Sequence, residues 1–121
     1  AILVISTVTH LYSVPHLTCL TALKGLDREI ESEWLAWMRK THIPQVMETG
    51  CFLECRISKI QGEEDGGSAY SCLYLAPTSE KLEEYHATHA PALQQDHALR
   101  FGGKFAAFRT NLTVIEEFKA T

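Results

Sequence analysis

Between residues 17 and 115 the apolar side chains change period from two to about 3.6 and back, twice over, which restricts the chain to folds that interleave strands and helices. Residues 17–23 set Leu17, Cys19, Thr21 and Leu23 against Thr18, Leu20 and Ala22, as a pleated strand requires. Asp27 then offers a helix N-cap. Glu29, Glu31 and Glu33 suit the positive end of a helix dipole, and Ile30, Trp34, Trp37 and Met38 recur at helical spacing. Pro44 is expected to interrupt this helix near His42-Ile43, because the residue before a proline avoids the helical region, and as an N1 proline it can start a short second turn. Gly50 closes the segment.

Period two returns over residues 51–60, with Cys51, Leu53, Cys55 and Ile57 on one side and Glu54, Arg56 and Ser58 on the other. The run Gly62-Glu-Glu-Asp-Gly-Gly67 supplies the residues that tolerate positive φ in a hairpin turn, and leads into a strand over 69–76. In that strand Tyr70, Cys72 and Tyr74 oppose Ala69, Leu73 and Leu75, so both faces read as buried. A second helix starts at Pro77-Thr-Ser79, carries Leu82, Tyr85 and His89, is expected to break at Pro91, and resumes to about Arg100. Phe101-Gly-Gly103 ends it, residues 104–115 read as the last strand and 116–121 as a tail. Residues 1–16 stand apart as an N-terminal extension, with 2–9 expected as an extra strand before a loop at 13–16, or else as an appendage ordered only by a neighbour, and 17–121 form the domain.

The order β-α-β-β-α-β is the split βαβ arrangement of the ferredoxin-like fold, an α+β sandwich with an antiparallel sheet. Its helices cover one sheet face. Two-faced strands therefore predict a homodimer, with a second copy over the other face. There is also an internal repeat: Trp37-Met-Arg-Lys-Thr-His-Ile-Pro-Gln-Val46 and Tyr85-His-Ala-Thr-His-Ala-Pro-Ala-Leu93 both run from an aromatic to Thr-His-x-Pro-x-aliphatic. Each half should carry the same break.

Composition narrows the function classes. With 121 residues, 45% of them hydrophobic, and a net charge of −4, the chain can bury one ordinary core, which excludes disorder. No Lys/Arg cluster supplies the footprint that phosphate backbones need, so nucleic acid is not an expected partner. The most apolar stretch near the start, residues 1–8, falls short of the roughly 20 residues of a membrane span and has no basic flank, so a cytoplasmic location is expected and no membrane partner. Cys19, Cys51, Cys55 and Cys72 form no C-x-x-C pair and read as reduced, buried thiols. On one strand, Cys51 and Cys55 would sit roughly 13 Å apart, beyond disulfide reach.

The segments Glu33-Trp-Leu-Ala-Trp-Met38, His42-Ile-Pro44, Glu64-Asp-Gly-Gly67, His89-Ala-Pro91 and Arg100-Phe-Gly-Gly-Lys-Phe-Ala-Ala-Phe-Arg109 resemble an uncharacterised bacterial domain family of unknown function in the dimeric α+β barrel superfamily. The likeness spans roughly residues 17–115 and leaves out 1–16. It implies a ferredoxin-like protomer whose sheet meets its copy across a two-fold axis. The superfamily it points to includes cofactor-independent monooxygenases, haem-degrading enzymes, small lactone isomerases and proteins resembling ethyl-ether-degradation factors, which also carry His-x-Pro after a helix. The family brings no activity of its own.

Among candidate catalytic residues, His42 and His89 sit where a helix C-terminus favours the charged imidazole, which suits general acid/base work. The plainer reading has each imidazole capping carbonyls freed by the following proline. Arg109 lies mid-strand on the side of Phe105, Ala107, Asn111 and Thr113, and with Tyr70 and Tyr74 could line a pocket for an anionic or phenolic ligand. Its plainer reading is an ion pair with Glu54 across the dimer contact. His97 and Arg100 could bind a carboxylate or hydrogen-bond to the chain near Gly102-Gly103, and Trp37, like Trp34, reads as core before it reads as a ligand stack. His86 and His89 lie at i, i+3 with His97 further on, but no third ligand joins the pair at a fixed spacing such as that of His-Glu-x-x-His, so no metal is expected, and no cofactor. Neither a P-loop nor a hydrolase triad is present in the spacing. The reading that follows is a homodimer binding a small organic molecule between sheet and helices, with cofactor-independent acid/base or monooxygenase-like chemistry as its catalytic form. The alternatives are a non-catalytic dimerisation or interaction module and a haem-binding or haem-degrading protein.

Overall fold

The computed structural model describes residues 17–62 and 66–120. Strand β1 (Leu17–Leu26) leads into α1 (Arg28–Trp37), a π turn (Met38–His42) and α2 (Ile43–Glu48). Then come β2 (Glu54–Ile60), β3 (Ser68–Ala76), α3 (Ser79–Glu84), a second π turn (Tyr85–His89), α4 (Ala90–Phe101) and β4 (Ala106–Thr113). The strands form one sheet in the order β2-β3-β1-β4, with every neighbouring pair antiparallel. This is the ferredoxin-like βαββαβ arrangement. The strand expected over 2–9 and the centre of the hairpin at 63–65 lie outside the described residues.

Strand β1 carries the core because it is central and bulged. Leu23 pairs with Tyr70 and Leu26 with Ser68, so one extra residue is inserted at Lys24-Gly25. The bulge turns both Leu23 and Leu26 inward, where they are 1% and 0% exposed. Gly25 adopts φ 74°, and Gly67 packs so close that a Cβ there would lie 2.5 Å from the Leu26 carbonyl oxygen. The helix-facing side of the sheet, with Cys19, Leu23, Tyr70, Cys72 and Tyr74, packs under Trp34, Met38, Leu82 and Tyr85.

The prolines do not break the helices. The helical path runs from Arg28 to Glu48 and from Ser79 to Phe101, and each break expected at Pro44 or Pro91 is replaced by a π turn just before the proline. A proline ring crowds the carbonyl four residues back and offers it no N–H. Widening the turn lets the helix pass: the Ile43 N–H reaches the Met38 carbonyl and the Ala90 N–H reaches that of Tyr85, five residues back. The internal repeat thus has a structural counterpart in both halves.

Two strand boundaries also differ from the sequence pattern. Strand β2 begins at Glu54; Cys51 and Phe52 precede it as buried residues, while Leu53 is 59% exposed, so Cys51 and Leu53 do not share a face. Gly50, at φ 75°, redirects the chain after α2 and sinks Cys51 and Phe52 into the core before pairing begins. Strand β4 covers Ala106–Thr113, shorter than the expected 104–115. All four cysteines are free. No described helix is long and apolar enough to cross a membrane.

Away from the helices, the sheet presents Leu20, Ala22, Leu73, Leu75, Phe108 and Leu112, by alternation and pairing register. Phe108 is 59% and Leu112 43% exposed, and Leu20, Leu73 and Leu75 are half-buried. This is the apolar second face that the strand pattern predicts.

Candidate functional site

The two π turns aim side chains at a space between the helices and the sheet. A cavity of about 40 Å³ is floored by Cys19 and Thr21 of β1 and Cys72 of β3, and it is bounded by His42 and Tyr85 from the two π turns. Tyr74, Gln94, His97 and Arg109 complete its polar lining. Arg109 pairs with Thr21 across the β1–β4 ladder, which puts it on the helix side of the sheet at an edge strand, where it is exposed. The volume suits a carboxylate-sized group or one to two waters, since a water takes about 30 Å³. Arg109 marks its solvent side.

Behind the cavity the rings are ordered. The indole of Trp37 stacks on His42 at 5.0 Å and on His97 at 5.6 Å between centroids, each at 25° between planes. The Trp34 Nε1–H donates to His97 Nε2 at 3.0 Å in the interior. His97 is therefore neutral, with its proton on Nδ1. Two polar atoms are buried with no hydrogen-bond partner among the described residues: His42 Nδ1 and Trp37 Nε1. Each such orphan costs about 1–3 kcal/mol until something pairs with it.

The electrostatics favour an anion. Burial, aided by the neighbouring His42 and Arg109, holds His97 down at about 4, although Asp96 opposes this. Burial likewise lowers His42, with Asp96 opposing and Arg109 assisting. Burial raises the Tyr74 phenol and pushes Tyr85 up to about 12. It also raises Cys19 and takes Cys72 up to about 12. At neutral pH the imidazoles, phenols and thiols are uncharged, which leaves Arg109 as the cation of the lining. Among the described residues no carboxylate lies within ion-pair range of it.

Of the residues singled out from sequence, the structure brings together His42, His97, Tyr74 and Arg109, with Trp37 stacked behind. Tyr70 is held elsewhere: its hydroxyl donates to Glu31, which also accepts from Ser68 at 2.7 Å and pairs with Lys59 at 3.3 Å. The Tyr70 and Ser68 hydrogen bonds keep the Glu31 carboxyl below its usual range. Arg100 lies outside, 5.4 Å over the Trp37 ring and 3.7 Å from Asp96, so His97 and Arg100 do not form one carboxylate clamp, and His97 hydrogen-bonds to Trp34 instead of the chain near Gly102-Gly103. Arg109 and Glu54 occupy opposite faces of the sheet, because their register partners Thr21 and Leu75 do.

Among the described residues neither histidine of the repeat bonds a helix carbonyl: His42 stacks on Trp37 with its Nδ1 unpaired, and His89 faces Glu84. His89 leaves the cavity altogether. Its Nε2 lies 3.9 Å from Glu84 Oε2, which in turn meets Cys51 Sγ at 3.2 Å. His86 pairs with Asn111 Oδ1 at 3.2 Å, so His86, His89 and His97 do not converge. Tyr85, Gln94 and Cys19 were not singled out from sequence; the first could have been, since it is the aromatic of the repeat's second copy. A larger depression of about 800 Å³ at the end of the sheet is bordered by Lys24, Lys104 and glycine-rich loops, with no histidine or tyrosine among the described residues that line it.

The fold is shared with solved structures of low sequence identity. A dimeric ferredoxin-like protein from an uncultured marine organism superposes with a TM-score of 0.71 at 12% identity, over 86% of this chain and 99% of that one. An ethyl tert-butyl ether D (EthD) family protein from Bacillus halodurans matches at 0.56 and 19% identity, over 84% and 99%. An EthD-like protein from Ralstonia eutropha matches at 0.59 and 13%, over 85% and 96%. None of the curated proteins matches the sequence. The signature of a domain of unknown function, DUF4286, fits residues 24–115, and the chain belongs to that family.

Proposed function

We propose that this protein is a homodimer that binds a small organic acid between sheet and helices, with the acid's anionic group against Arg109 and His42 exchanging a proton with it. The observation that carries this reading is the meeting of an arginine that no carboxylate pairs with among the described residues, the buried His97 and the half-buried His42, both imidazoles neutral, around one cavity. Arginine offers a carboxylate or phenolate two parallel hydrogen bonds. The orphaned His42 Nδ1 supplies a further polar contact, and a neutral imidazole accepts a proton once a ligand brings one. The small volume limits the enclosed part to a head group, so the rest of the ligand lies outside beside β4. The same volume argues against haem.

The dimer is supported by the bare apolar sheet face and by the dimeric ferredoxin-like protein of the same fold. A second reading, a dimerisation module without ligand, is favoured by the narrowness of the cavity. Thermal shift and calorimetry with a panel of aliphatic and aromatic monocarboxylates and phenols separate the two. The binding reading expects stabilising acids whose effect is lost in Arg109→Ala and His42→Ala and kept in the outlying His86→Ala. If no acid binds, the module reading stands; if an acid binds Arg109→Ala as well as the parent, the assignment of the anion to Arg109 fails.

A further inference from the structure

Outside the cavity, three different metal-ligating side chains converge from two parts of the chain. Cys51 comes from the loop after α2, Glu84 from the end of α3 and His89 from the end of the second π turn. Their ligand atoms all lie within 4.8 Å of one another, with Sγ to Oε2 at 3.2 Å and Nε2 to Oε2 at 3.9 Å. We propose that Cys51 Sγ, Glu84 Oε2 and His89 Nε2 form a three-ligand site for a zinc-class divalent cation, with a fourth position open to water or substrate.

The π turn makes this geometry possible. In a regular α-helix residues five apart point about 140° away from each other, given 3.6 residues per turn. A turn closed by i→i+5 hydrogen bonds brings positions 84 and 89 toward one face, and such turns recur at functional sites. Cys51 is fixed from its own side: its N–H donates to Thr49 Oγ1 at 3.3 Å, and its side chain is fully buried. Glu84 and His89 are partly exposed, with side chains 44% and 32% accessible, so they can adjust around an ion. Zinc bonds of about 2.3 Å to sulfur and about 2.0–2.2 Å to nitrogen and oxygen give tetrahedral edges of about 3.4–3.6 Å. The observed distances bracket those edges.

The donor set selects the metal. One thiolate, one imidazole and one carboxylate suit zinc and its neighbours, whereas magnesium and calcium prefer oxygen alone. Lys81 Nζ lies 3.7 Å from the other carboxylate oxygen, Oε1, and leaves Oε2 to the site. Binding converts Cys51–SH and M²⁺ into a Cys51–S–M bond and one released proton, so the carboxylate and thiolate together neutralise the ion.

The test uses the reduced, metal-stripped full chain, with zinc and cobalt(II) alone as probes. One equivalent of zinc should raise Tm, and cobalt(II) should give a thiolate-to-cobalt charge-transfer band with tetrahedral d–d absorption. His89→Ala and Glu84→Gln, both at partly exposed positions, should each weaken binding at least tenfold, and Cys51→Ser should abolish the charge-transfer band. Cys55→Ser should leave it intact. Absence of the band in the parent protein, or its persistence in Cys51→Ser and His89→Ala with loss in Cys55→Ser, overturns the assignment.

Discussion

The indole N–H of Trp34 ends on Nε2 of His97, 3.0 Å away, and this one bond fixes the state of a buried imidazole. A proton on that nitrogen would set two N–H groups against each other. With burial the larger cause, His97 stays near 4 while an unfolded histidine titrates near 6.5. The unfolded chain therefore takes up the extra proton between those values, and stability falls as pH drops from about 6.5 to 4. Over that window the loss attributable to His97 is about 3 kcal/mol, at 1.36 kcal/mol per pH unit. Thermal melts across pH 4–7 should show this slope, and His97→Gln, whose amide oxygen still accepts from Trp34, should flatten it. The part that remains belongs to His42, whose shift has the same sign, and toward pH 4 to carboxylates held low in the fold, such as Glu31.

Replacing Trp34 with Phe tests the bond from the donor side. The ring is fully buried, so the smaller side chain costs about 1–3 kcal/mol through lost packing and the unpaired acceptor. Freed of its donor, His97 Nε2 becomes the better base. Its imidazole resonances should titrate at a higher pH in Trp34→Phe than in the parent, and an unchanged titration would show that burial and the neighbouring charges set the value without the bond.

The fold was legible because its strands and helices are long and periodic, and because two glycine-rich turns punctuate them. What escaped the sequence was local. Pro44 and Pro91 read as breaks, since nothing in a one-dimensional pattern distinguishes a broken helix from a widened turn. The extended pattern starts at Cys51 because period two begins there, yet after the positive φ at Gly50 the chain sinks Cys51 and Phe52 inward and pairs only from Glu54. In the site, Arg109 and His42 were visible as a mid-strand charge and a repeat histidine. The pairing of Trp34 with His97 joins residues 63 positions apart, and Cys51 is 33 positions from Glu84, separations at which no spacing rule operates. Tyr70 was misplaced because its orientation was legible but its partner, Glu31 on the facing helix, was not.

Pro44 should prove to be the cause of the first π turn. In Pro44→Ala an N–H is restored that can bond the carbonyl four residues back, which lets the turn relax toward a regular helix. Relaxation rotates His42 relative to Trp37 and weakens their stack. The expected result is a helix as stable as the parent or more so, with altered near-ultraviolet circular dichroism. A crystal structure of the variant with the π turn intact would show that packing, and not the proline, sustains it.

The bare sheet face gives a separate outcome. Phe108 is 59% exposed in the protomer, so Phe108→Glu should change protomer stability by no more than about 0.5 kcal/mol. If a second copy covers this face, the same substitution buries a charge in an apolar contact. Sedimentation at micromolar concentration should then show dimer for the parent and a shift toward monomer for the variant, with the far-ultraviolet spectrum unchanged. Equal masses for both proteins would place any dimer contact elsewhere.

Arg109 can be tested before any ligand is known. Its guanidinium lowers both His42 and His97 through space, after burial and Asp96 for the first and after burial and His42 for the second. Removing it in Arg109→Ala should raise both titration midpoints, and Arg109→Lys should largely restore them, because a point charge at the same place acts on the imidazoles almost as the guanidinium does. Ligand binding should separate the two variants differently: lysine keeps the charge but not the two parallel bonds, so an acid should bind Arg109→Lys more weakly than the parent although the histidine titrations match. Histidine resonances that do not move in Arg109→Ala would mean that solvent screens the arginine from the cavity, and that the anion-binding role belongs to another residue.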